Sequence, residues 1–74
     1  MQRGPLARVV NTGSCLNVRE APDVSAAVLT CAADGVLLHI ESPEMPAPRW
    51  LEVTTPGGGV RGYASTAYLE HPFP

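Results

Sequence analysis

This 74-residue sequence predicts a small all-β domain. Three observations lead there. Eight prolines and seven glycines punctuate the chain, so few windows hold a helical period. Short runs alternate apolar and polar residues, as half-buried strands do. These runs recur at spacings of about 8–12 residues between turn signals, the pattern of a small barrel or sandwich.

Five strands are expected. "CLNVR" opens the first, with Leu16 and Val18 inward and Asn17 and Arg19 outward. "EAPDVSA", Glu20 to Ala26, is a loop built on Pro22 and Asp23, residues that favour turns. "AVLTCA" resumes as a second strand through Cys31. The wider window "SAAVLTCAA" contains good helix formers, but isolated helices under about 12 residues are marginal. "ADG", Ala33 to Gly35, signals a tight turn. "VLLHIE" follows as the third strand, with Leu38 and Ile40 on one face.

"SPEMPAPR", Ser42 to Arg49, carries three prolines and is a loop. "WLEVT" is the fourth strand, with Leu51 and Val53 on one face and Trp50 and Glu52 on the other. "PGGG" is a hairpin turn and "VRGYAS", Val60 to Ser65, the fifth strand. "STAYLE" makes one helical turn with Ser65 as its cap. Residues 1–8 are expected to be a flexible segment, 9–70 the domain and 71–74 a tail.

One domain is the limit at this length. About 60% of the unfolded chain's surface is buried at such sizes, so the core is marginal and a covalent staple matters. The two cysteines offer one. A hairpin centred near Asp23 sets Cys15 directly opposite Cys31, close to the separation a disulfide needs. That bond implies an oxidising, extracytoplasmic setting. The alternative is two reduced, buried cysteines acting as small hydrophobes.

Composition excludes several classes. The formal net charge is −2, and five arginines with no lysine are scattered along the chain. No basic stripe exists to neutralise phosphates, so no nucleic-acid role is expected. No run approaches the roughly 20 apolar residues of a membrane span, and "MQRGPLA" lacks the apolar core of a signal peptide. A nucleophilic Cys–His pair needs His39 or His71 beside a thiol, and neither histidine has an orienting acid nearby in sequence. A metal site lacks CxxC spacing and a fourth ligand. No catalytic residue, metal or cofactor is expected.

The stretches "LNVREAP", "VLTCAADG", "VLLHIE", "WLEV", "VRGYAS" and "AYL" together resemble the bacterial SH3 (SH3b) family. The positions that carry the resemblance are Leu16, Asn17, Val18, Arg19, Pro22, Val28, Leu29, Gly35, Trp50, Val53, Gly62, Tyr63, Tyr68 and Leu69. It implies a five-stranded, partly open SH3-like barrel with a short 3₁₀ turn near the C-terminus. It also implies a non-catalytic binding module of a larger secreted or surface protein, targeting peptidoglycan or its stem peptides; a monomer is expected. The alternative is a protein–protein or spacer module without a glycan ligand. The chain departs from the family pattern in the long proline-rich loop before Trp50, in Ala64 for Val, and in Ala32 for a larger aliphatic.

Five residues are the candidate ligand site. Trp50 is either an outer-face platform, since aromatic rings supply large amphipathic contact area, or a cover over the barrel's open end. Tyr63 and Tyr68 follow the same logic, and flanking Trp50 they would form a shallow aromatic groove. Tyr68 itself is expected to pack against Leu69. Arg19 can fork onto a carboxylate, and Asn17 lies beside it. Their structural roles are a pairing of Arg19 with Glu52 or Asp23, and of Asn17 with a neighbouring backbone.

Overall fold

A computed structural model describes residues 5–42 and 44–73. They form seven strands: β1 (Leu6–Val9), β2 (Cys15–Arg19), β3 (Val28–Ala33), β4 (Leu37–Ile40), β5 (Trp50–Thr54), β6 (Arg61–Ser65) and β7 (Leu69–Phe73). Two 3₁₀ turns, η1 (Pro56–Gly58) and η2 (Thr66–Tyr68), complete the described elements. All pairings are antiparallel, in one sheet of order β3-β2-β6-β5-β4-β1-β7. The all-β expectation holds. The strand count does not: there are seven strands rather than five, and β3 and β7 remain as edges, so the sheet is not closed.

The two unforeseen strands lie where a flexible start and a tail were expected. Residues 6–8 belong to β1, and residues 71–73 to β7; residues 1–4 and 74 lie outside the described residues. "LARV" is too short to show a period in sequence. It is held by long-range pairing, lying between β4 and β7 with Ala7 opposite Leu38 and Val9 opposite Leu69. Pro72 reads as a strand breaker, but a proline is tolerated on an edge strand, and β7 is one. Arg8 adds an exposed ion pair to Glu70, with Nη2 to Oε1 at 2.7 Å, across the same pair of strands.

Every strand contributes one face to a single core. Ala7, Val9, Leu16, Val18, Ala32, Leu38, Ile40, Leu51, Val53, Ala64 and Leu69 are its buried members. Leu38, Val9, Val18 and Val53 are its largest fully buried side chains. A flat sheet without a covering layer leaves such residues wet. With only two 3₁₀ turns available, the sheet must curl so that its own strands cover one another. The period-2 alternation of β1, β2, β4 and β5 is what permits this. No helix among the described residues is long and apolar enough to cross a membrane.

The β2–β3 hairpin carries the predicted disulfide, Cys15–Cys31, with Cα atoms 5.5 Å apart. The register differs from the direct opposition expected: Cys15 faces Ala33, and Cys31 faces Asn17. The loop runs from residue 20 to 27, and a bulge between Val18 and Arg19 leaves Leu29 unpaired. Together they move the pairing two residues along. Both sulfurs still lie on the outer face, so the bond bridges a diagonal of the ladder.

Candidate functional site

The outer face of the sheet has two ends of opposite character. At one end Arg61 from β6 donates through Nε to Glu52 Oε2 at 2.8 Å, and its Nη2 lies 4.0 Å from Glu41. Thr54 donates its hydroxyl to the Glu41 carboxylate. The hydrogen bond and charge of Glu52, then the charge of Glu41, hold the Arg61 guanidinium more firmly protonated than usual. That end sets one guanidinium against two carboxylates and is net acidic.

The other end opens into a groove of about 410 Å³. β2 supplies Asn17 and Arg19, β5 supplies Trp50, and η2 supplies Tyr68. The loop that follows β2 adds Val24, and the turn before β5 adds Pro48 and Arg49. Trp50 is half-buried, while Tyr68 is exposed at 42%. Trp50 therefore stands at the groove wall with one part packed and another wet.

Local chemistry explains why these elements meet. The Trp50 N–H donates to the Ala47 carbonyl at 3.1 Å, closing a turn with Pro48 at its second position and Arg49 at its third. Proline presets the backbone for the second position of such a turn. Arg49, at the third position, takes the left-handed region with φ of 69°, as the third residue of a type II turn does. The Arg49 carbonyl then accepts from the Thr66 N–H at 2.8 Å, tying this turn to η2. Ser65 caps η2 as expected, its hydroxyl oxygen accepting from the Ala67 N–H at 3.2 Å. Arg49 and Tyr68 are thus fixed on connected elements at the groove.

Four of the five residues singled out in the sequence come together here: Trp50, Tyr68, Asn17 and Arg19. Tyr63 does not line the groove. It sits mid-sheet, opposite Glu52 on β5 and Arg19 on β2, and is half-buried. Tyr68 was expected to pack inward; its place on a 3₁₀ turn ahead of edge strand β7 leaves it exposed instead, while Leu69 takes the core position. Arg19 pairs with neither Glu52 nor Asp23 by hydrogen bond. Its Nη1 donates to the Ala26 carbonyl at 2.9 Å and pins the β2–β3 loop. Arg49 went unnoticed in the sequence because nothing in "PAPRW" marks a left-handed residue.

The groove's charge is one-sided. Among the described residues, the charged ones that line it are Arg19 and Arg49. Near its rim, Thr12 directs its hydroxyl and N–H to Asp34, which holds that carboxyl below its usual range. Both cysteines are consumed in the disulfide, and no group of three or more metal-binding side chains exists among the described residues. No family model matches the chain, and no curated protein matches it either.

Proposed function

We propose that this chain is a non-catalytic binding module of the bacterial SH3 kind, acting outside the cytoplasm. Its ligand is peptidoglycan or the peptide stems of the wall, and it serves a larger secreted or surface protein. The observation that carries this reading is the open groove in which Trp50, Tyr68, Asn17 and Arg19 converge from β5, η2 and β2. Rigid aromatic rings beside hydrogen-bonding groups suit the capture of a sugar or peptide surface. The curled antiparallel sheet, with a 3₁₀ turn just before its last strand, supports an SH3-like barrel. The Cys15–Cys31 disulfide supports an oxidising compartment.

A protein-binding role is the second reading, favoured by Val24, Val28 and Leu29. All three are large apolar side chains left exposed on or beside the β2–β3 loop. Sedimentation of the domain with purified insoluble peptidoglycan, beside Trp50→Ala at fixed salt, separates the two. Retention of the parent and loss of the variant support the wall reading. Absence of retention for both removes it and leaves the protein-binding role. Retention of both puts the wall contact outside the groove.

A further inference from the structure

We infer that the groove reads a free carboxylate on its ligand and that Arg49 is the residue that reads it. The inference rests on the wall-binding reading above, and names the ligand chemistry: an acidic stem peptide, gripped by its carboxylate.

Three observations carry it. First, Arg49 occupies the left-handed region at the third turn position, with φ of 69°. Glycine or asparagine fits there at little steric cost, whereas arginine is strained. Strained residues persist where the surrounding structure over-determines them, and they cluster at ligand clamps. Here the turn is held by the Trp50-to-Ala47 hydrogen bond and by the Thr66 N–H on the Arg49 carbonyl. The backbone is therefore fixed on both sides of the side chain.

Second, the Arg49 guanidinium has no hydrogen-bond or ion-pair partner among the described residues. The other described arginines differ. Arg8 binds Glu70, Arg61 binds Glu52, and Arg19 binds the Ala26 carbonyl. Among the described arginines, Arg49, a lining residue of the groove, alone keeps its full fork of donors unengaged, and that fork matches a carboxylate in two parallel bonds.

Third, the charged residues that line the groove are both arginines: Asp23 lies near Arg19 and Asp34 is held by Thr12 near the rim, but neither carboxylate is part of the lining. Among the described residues Arg19 and Arg49 line it and no acidic side chain does, although the whole chain carries a formal net charge of −2. The carboxylates of Glu41 and Glu52 are paired with Arg61 instead. A complementary ligand is anionic at the Arg49 end and apolar or planar over Trp50. A peptide stem ending in a carboxylate has that form; a neutral glycan strand does not.

Trp50 is the sole tryptophan and lines the same groove, so its fluorescence reports binding directly. The probes are a soluble stem tetrapeptide with free carboxylates and the same peptide fully amidated. The free acid should titrate Trp50 saturably, and amidation should weaken binding about tenfold or more, the loss of a charged hydrogen-bonded pair. Arg49→Gln should weaken the acid peptide by a similar factor and leave the amidated peptide unchanged. Arg49→Lys should recover part of the loss, since it keeps charge without the fork. Equal binding of acid and amide, no binding of either, or an Arg49→Gln variant that binds the acid like its parent overturns the inference. The wall sedimentation separates the two readings. Acid-peptide binding without wall retention upholds the carboxylate and removes the wall. Wall retention indifferent to Arg49→Gln and to amidation upholds the wall and removes the carboxylate.

Discussion

A side-chain carbon added to Gly62 would stand 2.5 Å from the carbonyl oxygen of Arg19 and 2.8 Å from Val18 Cγ1. β2 therefore crosses β6 at a distance that only glycine allows. The obstructing oxygen is backbone, which cannot rotate aside. Gly62→Ala is expected to destabilise the domain by about 1–3 kcal/mol, as overpacking does. For a domain of this size that lowers Tm by roughly 4–8 °C per kcal/mol. Thermal melts of parent and variant decide it. An unchanged Tm would mean that β2 and β6 separate without cost.

The Cys15–Cys31 bond closes a loop with a sequence separation of 16 residues. In the chain-entropy account a loop of this length contributes about 3 kcal/mol, against the roughly 3–5 kcal/mol that a core of this size supplies. Reduction is expected to lower the urea midpoint by about 1–3 M, given the shallow denaturant slope of small domains. Unfolding curves with and without reductant measure it. A shift below about 0.5 M would show that the β2–β3 ladder holds without its staple.

The sequence revealed the strands whose alternation is long enough to show a period and hid those held by partners far along the chain. Leu16, Val18, Leu51 and Val53 are buried as their spacing indicates. β1 offers only Ala7 and Val9 to the core, and its existence depends on β4 and β7 on either side. The cysteine pair was readable, but its register was not, because the bulge at Leu29 depends on how β2 meets β3. The same division holds at the groove. Trp50 and Tyr68 announce themselves by residue type. Arg49 becomes notable only through a backbone angle, and the outward position of Tyr68 only through η2.

Arg19 and Arg49 should separate when each is altered. Arg19 is tied to the loop by its bond to the Ala26 carbonyl, and Arg49 has no such tie. Arg19→Ala is expected to cost about 1–2 kcal/mol of stability through the lost charged hydrogen bond. Arg49→Gly should instead gain up to about 1 kcal/mol by relieving the left-handed strain, partly offset by glycine's freedom in the unfolded chain. Urea titrations of the two variants read both signs. Equal destabilisation by the two would remove the distinction between a loop anchor and a strained ligand contact.

Acid should weaken the fold through two surface turns. The Thr12 hydroxyl lowers the Asp34 carboxyl, with the Thr12 and Gly13 N–H groups assisting. The Ser25 N–H, then its hydroxyl, lowers that of Asp23, with the nearby charge of Arg19 adding to them. Each carboxyl is a stronger acid folded than unfolded. Its stabilising contribution is therefore present above the unfolded value of about 3.9 and disappears as pH falls through the lower folded value. Stability should be level from about pH 7 to 5 and fall below about pH 4. Asp34→Asn removes the charge that Thr12 stabilises, so its acid slope should be shallower than the parent's while its stability at pH 7 is lower. Urea midpoints between pH 2.5 and 7 for both proteins test this. Parallel curves would mean that the Thr12–Asp34 bond forms equally in the unfolded chain, and that the tie from the β1–β2 loop to the turn after β3 contributes nothing to the fold.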